Sequence, residues 1–373
     1  MEKSSQAVLR DRLQTGFLGI IALALVLFLL VQARFILIPL AIAIIVFSLT
    51  SDAIGVIARQ GVPNWLATPI ALGLIATGLL WLTSGFVAQV NEVVSTAITY
   101  MERAQAAIPE LIEWAGPNIT DTLTSALSDI NLTGWMRGAA GQAGSLVSGS
   151  VLVILFVGFM FAERMFFPQK IQRLIGNDED AHHVRAIFAS IMRRVNRYLV
   201  VKTLVSLATA LCIWAIFKIA GLELAGPVAV MTFVLNFIPS VGSIVATIVA
   251  VALAFAMTGD FQLTIIVLLA CTAVQFSIGN VLDPMLLGQT LRLSSLGIIL
   301  SLAFWGTLWG VPGMFLAVPI MVALMIACAH IPWLRGLAVV LSREGLPDDG
   351  LTDVPEKPGV LPPAEQSADR PRL

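Results

Sequence analysis

The chain has 373 residues, of which 58% are hydrophobic and only 12% charged. A soluble domain is about 45–50% apolar and about 25% charged, so the composition argues against a soluble enzyme, a disordered chain and a secreted disulfide scaffold. The formal net charge of −1 offers no basic field for nucleic acid, and the remaining class is an all-α, polytopic helical membrane protein.

A helix needs about 20 apolar residues to cross a hydrocarbon core about 30 Å thick. Lys3, Arg10 and Arg12 precede the first apolar run, Phe17–Val31. No small-residue cleavage pattern comes after it and a second run begins at once, so it reads as an uncleaved anchor. The second run is Phe35–Leu49, reached through a tight turn at Gln32 and Arg34 and carrying Pro39. The third is Leu66–Val87. The fourth, Leu146–Phe161, ends at Glu163 and Arg164, a local pair at most. The fifth is Tyr198–Ala220, and long apolar stretches then cover Leu224–Met257, Phe261–Ile278 and Leu296–Ala329. About eight membrane segments result.

Lysine and arginine counts set orientation. Lys170, Arg173, Arg185, Arg193, Arg194, Arg197 and Lys202 gather from the end of the fourth run to the start of the fifth and mark a cytoplasmic loop. The segment between the third and fourth runs carries Glu92, Glu102, Glu110, Glu113, Asp121 and Asp129 against only Arg103 and Arg137, and reads as facing outward. Both signals put the N-terminus inside, and an even number of crossings puts the C-terminus there too. The expected organisation is therefore 1–16 cytoplasmic, 17–88 three spans, 89–145 acidic extracytoplasmic helices, 146–167 the fourth span, and 168–197 a basic amphipathic loop. A core at 198–330 comes next, then a cytoplasmic tail at 331–373, Pro-rich and disordered from about 345.

The segments between spans are patterned. Val90, Val93, Val94, Ala97, Ile98 and Met101 form one helical stripe, expected to prolong the third span as far as Pro109. Ile119, Leu123, Ala126, Leu127 and Ile130 form a second. In the inner loop, Val184, Ile187, Phe188, Ile191 and Val195 share one face and arginines crowd the others, as in a helix lying at the cytoplasmic headgroups.

Two stretches are interrupted. Leu224–Met257 and Leu296–Ala329 are each about 34 residues, roughly 50 Å as one straight helix, too long for one crossing and too short for two. Asn236-Phe237-Ile238-Pro239-Ser240-Val241-Gly242 breaks the first; Gly306, Gly310-Val311-Pro312-Gly313 and Pro319 break the second. Irregular backbone inside a bilayer is tolerated where protein buries it or where it lines an aqueous cavity, and paired interruptions point to a transporter's binding site. Long Pro-kinked helices and re-entrant hairpins both remain open.

Asn236 offers a carbonyl and two donors to a polar solute, while Pro239 and Gly242 shape the break. Asn280 and Asp283-Pro284 close the Phe261–Ile278 run, with Arg292 beyond them. An ionisable residue near a span is costly and marks a site by default; Asp283 could hold a cation or a proton, or pair with Arg292. Cys212, Cys271 and Cys328 lie inside apolar runs with no metal spacing. No cofactor is indicated, and neither HExxH, GxSxG nor a Walker A sequence is present, so no enzyme activity is expected.

Taken together, the Asn236–Gly242 break, Asn280-Val281-Leu282-Asp283-Pro284, Gly310-Val311-Pro312-Gly313 and Ala317-Val318-Pro319 resemble, in order and spacing, the autoinducer-2 exporter family of bacterial membrane proteins. The resemblance covers roughly Thr15–Arg343. It implies a multi-pass transporter of the bacterial inner membrane, assembling as a homo-oligomer such as a pentamer. It also implies export of a furanone-type quorum-sensing signal or, as in other members, sodium or lithium/proton antiport. The positions carried over are Asn236, Pro239, Gly242, Asn280, Asp283, Pro284, Gly313 and Pro319, as substrate-binding or gating candidates. Three functions are weighed: secondary export of a small polar solute, cation/proton antiport at Asp283, and a membrane scaffold that binds a partner through its acidic outer helices.

Overall fold

A computed structural model of the chain describes residues 2–58, 64–115, 132–164, 166–287, 293–343 and 345. The described residues are almost wholly helical: α1 (Glu2–Gln32), α2 (Arg34–Ala58), α3 (Asn64–Ala115), α4 (Leu132–Glu163) and a short α5 (Phe167–Ile175) make the first half. The second half is α6 (Asp178–Ile219), α7 (Ala225–Leu235), α8 (Val241–Thr258), α9 (Phe261–Ser277), α10 (Asp283–Leu287), α11 (Ser295–Trp309), α12 (Val311–Ala329) and α13 (Arg335–Leu341). Eight of the described helices are long and apolar enough to cross a membrane. With large side chains such as Phe17, Ile20, Leu23 and Phe28 of α1 exposed, the chain is a polytopic all-α membrane protein whose outer surface suits acyl chains.

The helices overrun several expected limits. Helix α3 continues through Pro109 to Ala115, and α4 begins at Leu132, before the fourth apolar run. The second outer stripe, Ile119–Ile130, and the tail beyond Gly345 lie outside the described residues. Glu163 pairs with Lys170, not with Arg164. The first half packs around Ala43 of α2 and Val153, Val157 and Phe161 of α4, with Leu72, Ile75 and Leu79 of α3 against them. A hydroxyl pair, Thr83 and Ser150 at 2.9 Å, joins α3 to α4.

Helix α6 organises the second half. Its start is capped by Asn177, whose side chain accepts from the Glu179 N–H, and Asp178, Glu179 and Asp180 complement the dipole. No Gly or Pro interrupts its 42 residues, about 63 Å of helix. The inner-loop stripe is thus no separate surface helix: Ile191 and Val195 are buried against protein. Ile191, Val195, Tyr198, Lys202, Ser206, Thr209, Ile213 and Phe217 form one continuous buried face at helical spacing.

Both interrupted stretches are helical hairpins. Ile213 and Phe217 at the C-terminal end of α6 pack with Ala225 and Val228 of α7 and Ala250, Leu253 and Ala254 of α8. Tyr198 and Leu199 toward the other end pack with Val318, Met321, Val322, Met325 and Ile326 of α12. The open ends of the α7–α8 and α11–α12 hairpins therefore lie at opposite ends of α6. Between them, Ile238 at the tip of the first hairpin sits against Leu302 and Ala317 of the second, and the Phe237 and Phe315 rings are 5.0 Å apart.

Candidate functional site

The middle of the buried α6 face is polar. Tyr198, Lys202, Ser206 and Thr209 recur at i, i+4, i+8 and i+11, all buried. The groups that meet them are set by the two breaks.

At the first tip, Asn236 ends α7 and Ser240 takes φ +60, a left-handed value that side chains rarely adopt. The Val241 N–H donates to the Pro239 carbonyl at 2.6 Å, a three-residue turn. Gly242 then passes against the Leu235 carbonyl so closely that a Cβ would lie 1.7 Å from its oxygen. That reversal presents Asn236 to α6, where its amide donates to Ser206 Oγ at 3.2 Å and Thr209 Oγ1 at 3.4 Å. One turn earlier, the buried Thr232 hydroxyl has no partner among the described residues.

The second hairpin repeats the device. Gly310 turns with φ +67, and a Cβ on Gly313 would lie 2.0 Å from the Trp305 carbonyl oxygen. Ser301 Oγ donates across the hairpin to the Ala317 carbonyl at 2.9 Å, and Pro319 is buried inside α12. Pro239, Gly242 and Gly313 thus lie at the hairpin tips, whereas Gly306 and Pro319, expected to help break the second stretch, lie inside α11 and α12.

Asp283 arrives from α9. One π-helical turn, Ile278–Leu282, intervenes, and the Asp283 N–H donates back five residues to the Ile278 carbonyl. The extra residue rotates the helix beyond it, a device frequent at functional sites. Asp283 Oδ2 accepts from Lys202 Nζ at 2.9 Å. The Lys202 and Asp283 side chains are 5% and 19% exposed. Asp283 Oδ1, Tyr198 Oη and Gln275 Nε2 are buried without a partner among the described residues.

Of the expected partners of Asp283, Arg292 lies outside the described residues; among the described residues the cation that meets the carboxylate is Lys202. The charge count places Lys202 with the basic loop, yet it is 4% exposed within the protein. Asn280 does not join the site; it is exposed and its amide donates to the Phe276 carbonyl of its own helix. Pro284 lies next to Asp283 in the first turn of α10. Sequence reading misses Tyr198, Lys202, Ser206 and Thr209. Their common helical face inside an apolar run is the available signal.

The arrangement is a buried cluster of polar side chains. It supplies an ammonium, a carboxylate oxygen, an amide and hydroxyls between two hairpins that enter from opposite ends, and its two formal charges offset each other.

Known proteins resemble the chain in sequence along most of its length. The chain is 27% identical over 334 residues to the AI-2 transport protein TqsA of Escherichia coli, covering 88% of this chain and 96% of the relative. It is 28% identical over 339 residues to a Haemophilus influenzae protein provisionally named for transport, covering 86% and 94%. A provisionally named transport protein of Escherichia coli, YhhT, is 27% identical over 270 residues, covering 70% and 75%. The model of the AI-2E family transporters matches residues 18–333, and with that match spanning both hairpins and α6, this multi-pass bacterial membrane protein belongs to the AI-2E transporter family.

Proposed function

We propose that the protein is a secondary transporter that exports a small, neutral, polar solute by alternating access about the α6 seam. The observation that carries this reading is the meeting of two oppositely entering broken hairpins at a buried polar layer containing Asn236, Ser206 and Thr209. Such an element is costly in an apolar protein unless it is used, and discontinuous helices meeting near mid-membrane are how many carriers bind their cargo. Neutrality of the solute is inferred from the resident charges: Lys202 and Asp283 already offset one another. Hydroxyl groups on the solute would pair with the Thr232 hydroxyl, which has no partner among the described residues. A hydroxylated furanone-type signal has that chemistry, and TqsA is named for transport of AI-2.

In this reading both termini are cytoplasmic, α7–α8 enters from the outside and α11–α12 from the inside. The exposed apolar faces of α1 and α3 contact lipid or further copies in a homo-oligomer. Cation/proton antiport with Asp283 as a bare cation site is the weaker reading, because Lys202 occupies that carboxylate. The scaffold reading gives the polar seam no task.

Purified protein in proteoliposomes, offered a panel of neutral polyhydroxylated solutes including the furanone-type signal under imposed proton or sodium gradients, tests the proposal. Gradient-dependent flux that Asn236→Leu abolishes is the expected result. No flux of any solute would overturn it in favour of a scaffold.

A further inference from the structure

Helices α5 and α13 carry apolar side chains that the described residues leave uncovered. In α5, at about 100° per residue, Leu174, Phe167, Ile171 and Ile175 form one continuous stripe. Ile171 is buried, whereas Phe167 is exposed and Leu174 is 87% exposed. In α13, Ala338 and Leu341 are buried. Trp333, Leu337 and Val340 recur at i, i+4 and i+7 on an outer stripe, with Trp333 82% and Val340 69% exposed. Both elements flank the same stretch of α6. The Phe167 ring is 6.2 Å from that of Phe188. The His183 ring is 5.6 Å from that of His330, which ends α12 just before the Pro332–Leu334 turn into α13.

We propose that the two stripes form a collar that seats this end of the protein on anionic lipid headgroups at the membrane surface. Each element begins where a helix long and apolar enough to cross a membrane stops. Helix α5 follows the end of α4 at Glu163, and the Pro332 turn follows the end of α12 at Ala329. The bilayer surface is therefore within reach of both. Tryptophan and phenylalanine beside cations are the side chains of an interfacial element. Around α5, Lys170 and then Arg173 come next to Leu174. Exposed Arg164 precedes that helix, and exposed Arg335 and Arg343 bracket α13.

The acidic groups nearby do not oppose this. Glu163 is paired with Lys170. Asp178, Glu179 and Asp180 open α6, and Asp178 accepts from Gln172, which lies about 160° round α5 from Leu174. Their contact is with the far side of α5. Helix α13 and the turn before it contain no acidic residue. Headgroup phosphates meet the cations, and a lipid with net negative charge matches them better than a zwitterionic one. The collar would hold the open end of the α11–α12 hairpin and the start of α6 against the membrane. It goes beyond the transporter reading and does not depend on it.

The test places an environment-sensitive fluorophore on Leu174→Cys or Val340→Cys, each in the full chain with Cys212→Ala, Cys271→Ala and Cys328→Ala. The protein sits in nanodiscs of phosphatidylglycerol and phosphatidylcholine in equal amounts, and one lipid or the other carries a nitroxide near its headgroup as quencher. Both labels should be quenched by the lipid nitroxide. Both should be about fivefold less accessible to aqueous acrylamide than the same label on exposed Asp178→Cys. Nitroxide on phosphatidylglycerol should quench about twofold more than nitroxide on phosphatidylcholine, and adding Arg164→Gln, Arg173→Gln and Arg335→Gln should remove most of that preference. Labels fully open to acrylamide would show that water covers the stripes. Labels shielded from both quenchers would show that protein covers them, a second copy included. Equal quenching by the two lipids, or a preference unchanged in the arginine variant, would show that charge does not select the lipid. Each of these outcomes overturns the proposal. If a labelled chain fails to fold, native mass spectrometry compares lipid retention by the unmodified protein and by the arginine variant. Excess phosphatidylglycerol that the variant loses supports the proposal, and equal retention overturns it.

Discussion

Lys202 and Asp283 are 81 residues apart in the chain, yet their Nζ and Oδ2 atoms are 2.9 Å apart and join α6 to the end of the α9 segment. Breaking a buried pair by removing one partner costs about 3–5 kcal/mol, because the survivor is left charged and unpaired. The partial exposure of Asp283 puts the expected loss at the lower end of that range. Lys202→Met and Asp283→Leu should each lower the thermal midpoint in detergent, whereas Lys202→Met/Asp283→Leu should recover most of the loss. A double-mutant cycle with additive effects would show that the two side chains do not act as a pair.

The hairpins depend on two glycines and not on a third. A methyl group on Gly242 or Gly313 would meet backbone oxygens, Leu235 at 1.7 Å and Trp305 at 2.0 Å, which cannot rotate away. Gly242→Ala and Gly313→Ala should therefore cost about 3 kcal/mol or more, at or beyond the usual range for overpacking. At Gly306 the obstacle is the Met314 Cε at 2.8 Å, the free end of a flexible side chain, and Gly306→Ala should cost less than about 1 kcal/mol. Midpoints measured side by side in one detergent check this, and equal losses at Gly306 and Gly313 would contradict it.

Asn236 links the first tip to α6 by two donated hydrogen bonds. Asn236→Ala leaves Ser206 and Thr209 without that donor, and each lost neutral bond is worth about 0.5–1.5 kcal/mol. Asn236→Asp keeps the size but replaces the donor amide with acceptors and adds a negative charge about two turns from Lys202. Both should reduce flux in proteoliposomes, Asn236→Asp more severely. Full flux through Asn236→Asp would remove Asn236 from the pathway.

The sequence makes some of this legible for definite physical reasons. Membrane class is set by apolar run lengths, and the two breaks are visible because proline and glycine cluster there, whereas single prolines such as Pro39 and Pro319 are absorbed within α2 and α12. Asp283 stands out because a carboxylate at the end of an apolar run is rare. Lys202 does not, because charge counting assigns it to the nearest basic loop. Helix α6 passes from loop to core without a break, and Lys202, only five residues past Arg197, is counted with the loop although it lies inside the Tyr198–Ala220 run. Asn280 misleads for a related reason. In an α-helix, residues 280 and 283 share a face, but the π turn at Ile278–Leu282 rotates them apart, and nothing in the local sequence announces it. The partnering of the hairpin ends with opposite halves of α6 is tertiary information that no run length contains.

The second tip has its own anchor. Trp309 ends α11 and its indole Nε1–H donates to the Leu30 carbonyl at 3.0 Å, across 279 residues. Leu30 lies in the last turn of α1, where carbonyls lack helical partners. The bond therefore satisfies a group that would otherwise be unmet, and it ties α1, whose apolar window has no buried residue, to the hairpin. Trp309→Phe preserves much of the ring packing on Trp305, 4.6 Å away, but deletes the donor. The expected loss is about 1 kcal/mol, too small to unfold the protein and enough to loosen α1. Crosslinking between Cys residues placed at facing positions in the last turns of α1 and α11, which the Trp309–Leu30 bond joins, should fall several-fold in Trp309→Phe, with the thermal midpoint nearly unchanged. Unaltered crosslinking would mean that α1 is held by its turn into α2 alone.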